Sequence, residues 1–367
     1  MNLISKAIGI DLGTSNVLIY QAGRGVVLRE PTIVAMDKNT GNVVKVGSAA
    51  RNMLGRTPGH IAAVRPLVGG VVADYELTAK MLTEMVKKTV KGAIIKPDMI
   101  VSVPSGVTEV EERAVVQAVM EAGAKRVYLI EEVRAAALGA RLDMSRATGH
   151  LVVDIGGGTT DIGVVVSNEV AYSSSIKVAG MTFDQAIIDY IQRQYQFTIG
   201  ESTAEEIKTT IGCVISRPSL MTMAVPGRDS KVGYSQGELL DYYKRTGQTK
   251  ARVVKQAREE VLVNSEEIRV ALEPYVAQIL VEIQKVINHV SPELASDVMK
   301  NGITLTGGGS QIWGMDQLIG SYFNTECNLA DDADSCVACG CGRAIDWTKN
   351  MNDGPINIAR NRRMMDY

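Results

Sequence analysis

The sequence predicts an α/β protein built in two similar halves, and three observations carry that prediction. Short apolar runs rich in Val and Ile alternate with stretches of helical periodicity, as in a sheet covered by helices. A motif of strand, Asp, glycine and paired hydroxyls occurs twice, 143 residues apart (Asp11 and Asp154), so each half opens with the same device. The 367 residues suffice for two domains of ordinary size. Apolar residues make up 46% and aromatics only 5%, so the cores must be mostly aliphatic, with 16 Met as adaptable filler.

In chain order, the first copy of the motif is Gly9-Ile10-Asp11-Leu12-Gly13-Thr14-Ser15-Asn16, followed by the apolar strand Val17–Tyr20. Strand-like runs follow at Val26–Leu28, Ile33–Met36 and Met99–Val103. A helix is signalled at Thr108, where Thr108-x-x-Glu111 makes a capping box ahead of Val110, Ala114, Ala118 and Val119 at helical spacing. A strand at Tyr128–Ile130 precedes the second copy, Val153-Asp154-Ile155-Gly156-Gly157-Gly158-Thr159-Thr160-Asp161, which lies between strands at Leu151–Asp154 and Ile162–Val166. A helix is expected from about Pro274 to His289, apolar at Val276, Ile279, Leu280, Ile283, Val286 and Ile287, and a last strand at Ile303–Thr306. Residues 235–263 read as helix around Gly247, and the tail after Ala344, ending Arg360-Asn361-Arg362-Arg363-Met364-Met365, reads as unstructured, with basic residues beside Met suited to a membrane surface.

The repeat carries the chemistry. Each copy reads as a β-hairpin whose glycine tip lets main-chain amides approach an anion. An aspartate repels phosphate directly, and makes sense when a hydrated Mg²⁺ stands between them. Two such hairpins facing each other would grip a nucleotide's phosphates from both sides. A Rossmann fingerprint would run into a helix, whereas both motifs run into strand. A P-loop needs Gly-Lys, and the chain has none. A third glycine cluster, Thr306-Gly307-Gly308-Gly309-Ser310, strengthens the nucleotide reading.

Net charge is −2, which argues against an electrostatic grip on nucleic acid. No signal-peptide pattern and no apolar run near the roughly 18–20 residues of a spanning helix is present, so a cytoplasmic protein is expected, as five scattered cysteines also suggest. Cys336-x-x-Cys339-x-Cys341, with Cys327, departs from structural zinc spacing and reads better as a tightly packed helix of small residues.

These motifs, with Gly55-Arg56-Thr57-Pro58, Arg65-Pro66-Leu67, Ala73–Glu76, Val103-Pro104-Ser105-Gly106, Tyr128–Glu132 and Glu205-Glu206-Ile207-Lys208, resemble those of the actin, Hsp70 and sugar-kinase ATPase superfamily. Within it the chain resembles the MreB-like bacterial actins over roughly residues 7–345. The resemblance implies an actin-like ATPase fold, two RNase H-like α/β lobes around a nucleotide cleft, each with a small subdomain. Lobe I would take 1–31, 69–140 and 333–367, with 32–68 as its small subdomain. Lobe II would take 141–180 and 265–332, with 181–264 as its subdomain and an insert near 235–263.

The resemblance also assigns roles. Asp11 and Asp154 would hold Mg²⁺ through water. Gly13, Thr14, Ser15 and Asn16 from one lobe, and Gly156, Gly157 and Gly158 from the other, would face the ATP phosphates. Glu131 would orient the attacking water and accept its proton, with Thr159 or Thr160 on the water's other side. Glu205 would take a ribose hydroxyl, the Lys208 stem would cover the purine, and Gly307, Gly308 and Gly309 would form the opposite wall. Ile94 and Ile95, flanked by Lys87, Lys88, Lys91 and Lys96, would insert into the inner face of the cytoplasmic membrane, with Met1-Asn2-Leu3-Ile4 adding to the contact. One departure touches the crossover: similar chains read Glu-Glu-Pro and then an apolar residue, where this one has Glu132-Val133-Arg134. The function implied is a cytoskeletal scaffold: an ATP-dependent homopolymer filament at the membrane with slow ATP hydrolysis. Its partners would be copies of itself, the membrane, and membrane-embedded morphogenesis or positioning proteins, with no nucleic acid. The alternatives are a small-molecule kinase or phosphatase on the same fold, for which no extra substrate domain is evident, and an Hsp70-like ATPase, for which nothing after residue 345 is expected to form a peptide-binding domain.

Overall fold

The computed structural model describes residues 7–54, 59–90, 96–229, 260–348, 356–357 and 362–363. The Gly55–Pro58 motif, Ile94 and Ile95, residues 1–4, most of the 235–263 insert and most of the tail lie outside the described residues. The chain divides into two compact units: Met1–Thr182 with Ala277–Gln311 and Met315–Tyr367, and Phe183–Val276 with Ile312–Gly314.

The first unit contains the same construction twice. Strands β1 (Ile8–Leu12), β2 (Asn16–Gln21) and β3 (Gly25–Pro31) form an antiparallel meander. β4 (Val34–Asp37), β5 (Val43–Val46) and β6 (Ile61–Val64) make a separate sheet beside helix α1 (Ser48–Arg51). A minimal hairpin, β7 (Leu67–Val68) and β8 (Val71–Val72), leads to helix α2 (Tyr75–Thr89). β9 (Asp98–Val103) then pairs parallel with β1, and after α3 (Glu109–Glu121) β10 (Arg126–Glu131) pairs parallel with β9. Helix α4 (Glu132–Gly139) crosses to a second meander of β11 (His150–Ile155), β12 (Thr160–Val166) and β13 (Glu169–Ile176). Here too a later strand is parallel to the first: β18 (Ile303–Thr306) pairs with β11 as β9 pairs with β1.

The second unit holds most of α5 (Gly180–Tyr195), then β14 (Phe197–Thr198), α6 (Glu201–Ile211), β15 (Thr222–Pro226), β16 (Arg228–Asp229) and β17 (Glu260–Asn264). β14 pairs with β16, and β15 with β17. The long helix α7 (Ser265–His289) returns the chain to the first unit, which continues with α8 (Pro292–Asn301), α9 (Met315–Phe323), β19 (Cys327–Leu329) and α10 (Cys336–Thr348).

Sequence signals explain most of these boundaries. The capping box at Thr108 forms as read: the Thr108 amide donates to Glu111 at 2.7 Å and the Glu111 amide to Thr108 Oγ1 at 3.3 Å. The helix expected from Pro274 begins nine residues earlier, at Ser265. Its start is marked by a reciprocal pair, Asn264 amide to Glu267 at 2.9 Å and Glu267 amide to Asn264 Oδ1 at 3.1 Å. Pro274 lies inside the helix, where it costs one backbone hydrogen bond without ending the helix. The tail also departs from expectation. β20 (Ile356–Asn357) joins β10 in parallel, and β21 (Arg362–Arg363) pairs with β20, extending the first sheet to seven strands.

Among the described residues, two large apolar cores and a smaller one around Ile33, Ala35, Ala50 and Ile61 hold the unit. One packs Leu82 and Met85 of α2 and Val115 and Val119 of α3 on Ile8, Ile10 and Val101 of the sheet. The other gathers Tyr128 and Ile130 of β10, Val133 and Ala136 of α4, Val152 of β11 and Val337 and Cys341 of α10. Each such aliphatic side chain contributes roughly 1.5–3 kcal/mol on burial. In the second core, α4 and α10 touch backbone to backbone. A Cβ at Gly340 would collide with the Ala135 carbonyl, and one at Gly139 with that of Cys336. The stretch of small residues in α10 thus serves close helix packing. Among the described residues no helix is long and apolar enough to cross a membrane, and no group of three or more His, Cys, Asp or Glu is placed to hold a metal directly.

Candidate functional site

Both motif copies form hairpins, and both lie in the first unit. Asp11 pairs across its ladder with Leu18, and the tip Gly13-Thr14-Ser15 turns into β2. Asp154 pairs with Asp161, and the tip 156–159 is closed by the Gly156 amide on the Thr159 carbonyl at 2.9 Å. The two tips face each other. A Cβ on Gly157 would collide with the Ser15 side chain, and one on Gly158 with that of Thr14. Bare glycines on one hairpin receive the hydroxyl side chains of the other.

Each tip is held from behind through its carbonyls. Thr32 Oγ1 donates to the Gly13 carbonyl at 2.7 Å, and the Thr32 amide to the Ser15 carbonyl at 2.9 Å. On the other hairpin, the Gly180 amide at the start of α5 donates to the Gly156 carbonyl at 3.1 Å, and that of Met181 to the Gly157 carbonyl at 2.8 Å. In a planar trans peptide the N–H points opposite to the C=O. The amides of Thr14, Gly157 and Gly158 therefore point away from these backing groups, which is the arrangement an anion cradle needs. The Gly70 amide adds a third contact, donating to Thr14 Oγ1 at 2.8 Å.

Behind the tips lies a cluster of four carboxyl groups. Burial raises Asp11 to about 7, and the neighbouring Asp154 adds to the shift. Asp154, itself buried, is raised to about 7 by desolvation, against a hydrogen bond of 2.7 Å donated by Thr306 Oγ1 to its Oδ1. Asp161 is fully buried and accepts the Ser105 amide at 2.8 Å; burial raises its carboxyl. Glu132, the first residue of α4, is pushed well above the usual carboxylate range, first by burial and then by Asp161, Asp11 and Asp154. Glu131, in contrast, is the N-cap residue of α4, makes no side-chain cap bond, and has the Arg134 guanidinium for an electrostatic neighbour. Glu132, Asp161 and Thr32 were not singled out from sequence. The pairing of Asp161 with Asp154 could have been inferred from hairpin register, but nothing local marks the other two.

The two threonines separate. The Thr160 hydroxyl donates to the Val178 carbonyl at 2.6 Å, while Thr159 is buried next to Gly70, whose added Cβ would lie 3.2 Å from Thr159 Cγ2. The late glycine triplet also divides. Gly307, at φ +82°, and Gly309 lie against the Ile155 carbonyl and side chain, whereas around Gly308, among the described residues, only Asp334 comes near, 3.9 Å from an added Cβ. In the second unit Glu205 and Lys208 share a face of α6, and Lys208 Nζ is paired with Asp184 at 2.8 Å with both side chains largely buried. Of the lysines flanking the expected membrane loop, Lys87 pairs with Glu84 at 3.1 Å and Lys88 with Glu30 at 2.9 Å.

A duplicated meander whose hairpins face each other across an acidic cluster defines the actin-like fold class, and comparison with solved structures agrees. MreB5 of Spiroplasma citri bound to ADP superposes with a TM-score of 0.83 at 35% identity, covering 95% of this chain and 98% of that one. The double helical filament of MamK matches in fold, with a TM-score of 0.75 at 19% identity. The model of the MreB/Mbl protein family matches residues 5–244 and 241–353, and the chain belongs to that family. It is 41% identical over 345 residues to the cell shape-determining protein Mbl of Bacillus subtilis, covering 94% of this chain and 97% of that protein. It is 40% identical over 360 residues to the cell shape-determining protein MreB of Escherichia coli K12, covering 96% and 97%.

Proposed function

We propose that this protein binds ATP with Mg²⁺ at its facing hairpins, hydrolyses it slowly and assembles with its own copies into filaments. These filaments lie on the inner face of the cytoplasmic membrane as a scaffold for cell shape or spatial organisation. The observation that carries the nucleotide reading is that the Thr14, Gly157 and Gly158 amides each point away from the groups that back them, Thr32 and the start of α5, at the two facing tips. Aligned amide dipoles stabilise phosphate charge without a lysine. The relatives named as cell shape-determining proteins, and the MreB5 structures bound to ADP and to AMPPNP, support the same reading. The seven-, three- and five-stranded sheets support reading 1–31 with 69–140 and 333–367, 32–68, and 141–180 with 265–332 as separate subdomains, and 181–264 as the fourth.

The acidic cluster fits a hydrated divalent cation. Asp11 and Asp154 have carboxyls that burial holds near neutral pH, and a cation would favour their charged forms. With no group of three or more such side chains placed to hold a metal directly among the described residues, contact through the ion's water shell suits them best. Bound Mg²⁺ would offset the charge of the cluster and of the phosphates together.

For hydrolysis, the surroundings favour Glu132 over Glu131 as the group that orients water and accepts its proton, because Glu132 is buried among the carboxyls of the cluster, while Glu131 has the Arg134 guanidinium as an electrostatic neighbour. Thr159 is the better second contact, since its side chain bonds to Asp161 in the cluster while the Thr160 hydroxyl donates to the Val178 carbonyl. In the second unit, Glu205 and Lys208 are the groups proposed for the ribose and base; the Lys208 ammonium is held by Asp184, which leaves its methylene stem to cover an aromatic ring. Membrane contact is assigned to Ile94 and Ile95, on family resemblance.

The direct test is sedimentation of purified protein with ATP and Mg²⁺, with ADP, and with chelator, while phosphate release is followed in the same samples. Pelleting and slow release that both need ATP and Mg²⁺ are expected. A protein that neither pellets nor releases phosphate, or that transfers phosphate to a small-molecule acceptor without assembling, would overturn the proposal.

A further inference from the structure

Arg134 breaks two rules of helix construction at once. It is the third residue of α4, where a cation opposes the helix dipole, and it is nine-tenths buried, where a charge is costly. Its compensation is specific. The guanidinium lies over the Trp347 ring of α10 at 4.6 Å from the centroid, with the carboxylates of Glu131 and Glu169 as electrostatic neighbours. A side chain kept against both costs marks a position where location matters more than local stability.

What that location controls is set by the first turn of α4. Successive residues of a helix project about 100° apart. Glu132 enters the carboxyl cluster, Val133 packs against Gly163 of β12, and Arg134 reaches Trp347. The other end of α4 is held by α10 as well, since Arg343 donates to the carbonyls of Leu138 and Gly139. Between these ends the helices touch at Gly340 and Ala135. Helix α4 is thus fastened along α10 at both ends, and at the Glu132 end the stack of Arg134 on Trp347 is part of that fastening.

We propose that Arg134, through its stack on Trp347, is a positioning residue that holds the first turn of α4 and thereby sets Glu132 in place for hydrolysis. This rests on the reading of Glu132 as the water-orienting carboxylate. An anchor that positions a reacting group acts on turnover and leaves ligand binding alone.

The test uses Arg134→Met and Trp347→Leu, which remove the stack from either side, with Arg134→Lys and Trp347→Phe as conservative variants. ATP hydrolysis, ATP affinity and hydrogen exchange at the Ala136 and Ala137 amides, which bond back to the first turn, are measured on each. Both disruptive variants should lose about tenfold in hydrolysis, with affinity within about threefold and faster exchange at those two amides. Trp347→Phe should recover most of the loss and Arg134→Lys part of it. Unchanged exchange in both disruptive variants overturns the anchor, and loosened amides with unchanged hydrolysis overturn the positioning role. Glu132→Gln separates the readings. If it hydrolyses ATP like the wild type, the role of Glu132 falls and the proposal with it; if it is slow while Arg134→Met and Trp347→Leu are not, only the proposal falls.

Discussion

The two hairpins reach the same amide arrangement by different means. The first presents side chains, Thr14 and Ser15, and is braced from behind by a single threonine, Thr32. The second presents bare backbone, Gly157 and Gly158, and is braced by the first amides of a helix. The difference is complementary: the glycines leave room for the hydroxyls opposite them. A repeat of sequence has become a lock of unlike halves, and the halves should fail differently, the second through added bulk and the first through lost hydrogen bonds.

The largest effect should come from bulk. Gly157→Ala puts a methyl group into Ser15, so nucleotide affinity should drop by about 100-fold or more, consistent with overpacking costs of roughly 1–3 kcal/mol plus a lost phosphate contact. Titration with a fluorescent ATP analogue measures it. Exchanging the roles, in Gly157→Ala with Ser15→Gly, should restore part of the affinity; no recovery would mean that the tips do not interlock.

Next in size is the chemical step, which sharpens the contrast between neighbours in sequence. Glu132→Gln should slow ATP hydrolysis tenfold or more with affinity little changed, toward the ~10²–10⁴ usual for general-base loss, and Glu131→Gln should slow it far less. Single-turnover phosphate release decides, and the reverse order of effects would return the role to Glu131.

A smaller effect is expected from the brace of the first hairpin. Thr32→Val keeps the shape and removes the bond to the Gly13 carbonyl, a loss of about 1 kcal/mol, so ATP affinity should fall roughly fivefold. The same titration reads it, and an unchanged affinity would leave the first hairpin without need of its support.

The smallest effect concerns pH. Burial raises Asp11 and Asp154 to about 7 in the folded chain from an ordinary value of 3.8, so the folded state holds their protons more tightly than the unfolded state. Their contribution to stability is therefore fully present below about pH 4 and is lost as pH rises toward 7. Between pH 5.5 and 8 the melting temperature of the nucleotide-free protein should fall by about 2–5 °C, and saturating Mg-ATP should flatten the slope. Calorimetry checks both; a slope untouched by Mg-ATP would dissociate the two aspartates from the cation.

The legible parts of this protein were those written in adjacent residues. Asp-x-Gly with hydroxyls specifies a turn and a charge, and Thr108-x-x-Glu111 specifies a helix start, because each rests on contacts within a few residues. Ile303–Thr306 was bounded to the residue, and the family was legible from motif order. The helix start at Asn264 is obscured in the sequence by Pro274, the louder local signal, although the chain carries the reciprocal Asn264–Glu267 pair.

The sequence by itself determined the α/β class, the two glycine-tipped hairpins and the aspartates that open them, since these depend on short-range sterics and charge. Only the tertiary structure decided that the tips interlock, that Thr32 braces one of them, and that Glu132 rather than Glu131 enters the carboxyl cluster. Which of two adjacent glutamates is buried depends on how α4 is rotated when it packs on α10 and β12, and that rotation is fixed by contacts two hundred residues away in the chain, such as Arg134 on Trp347 and Arg343 on Gly139.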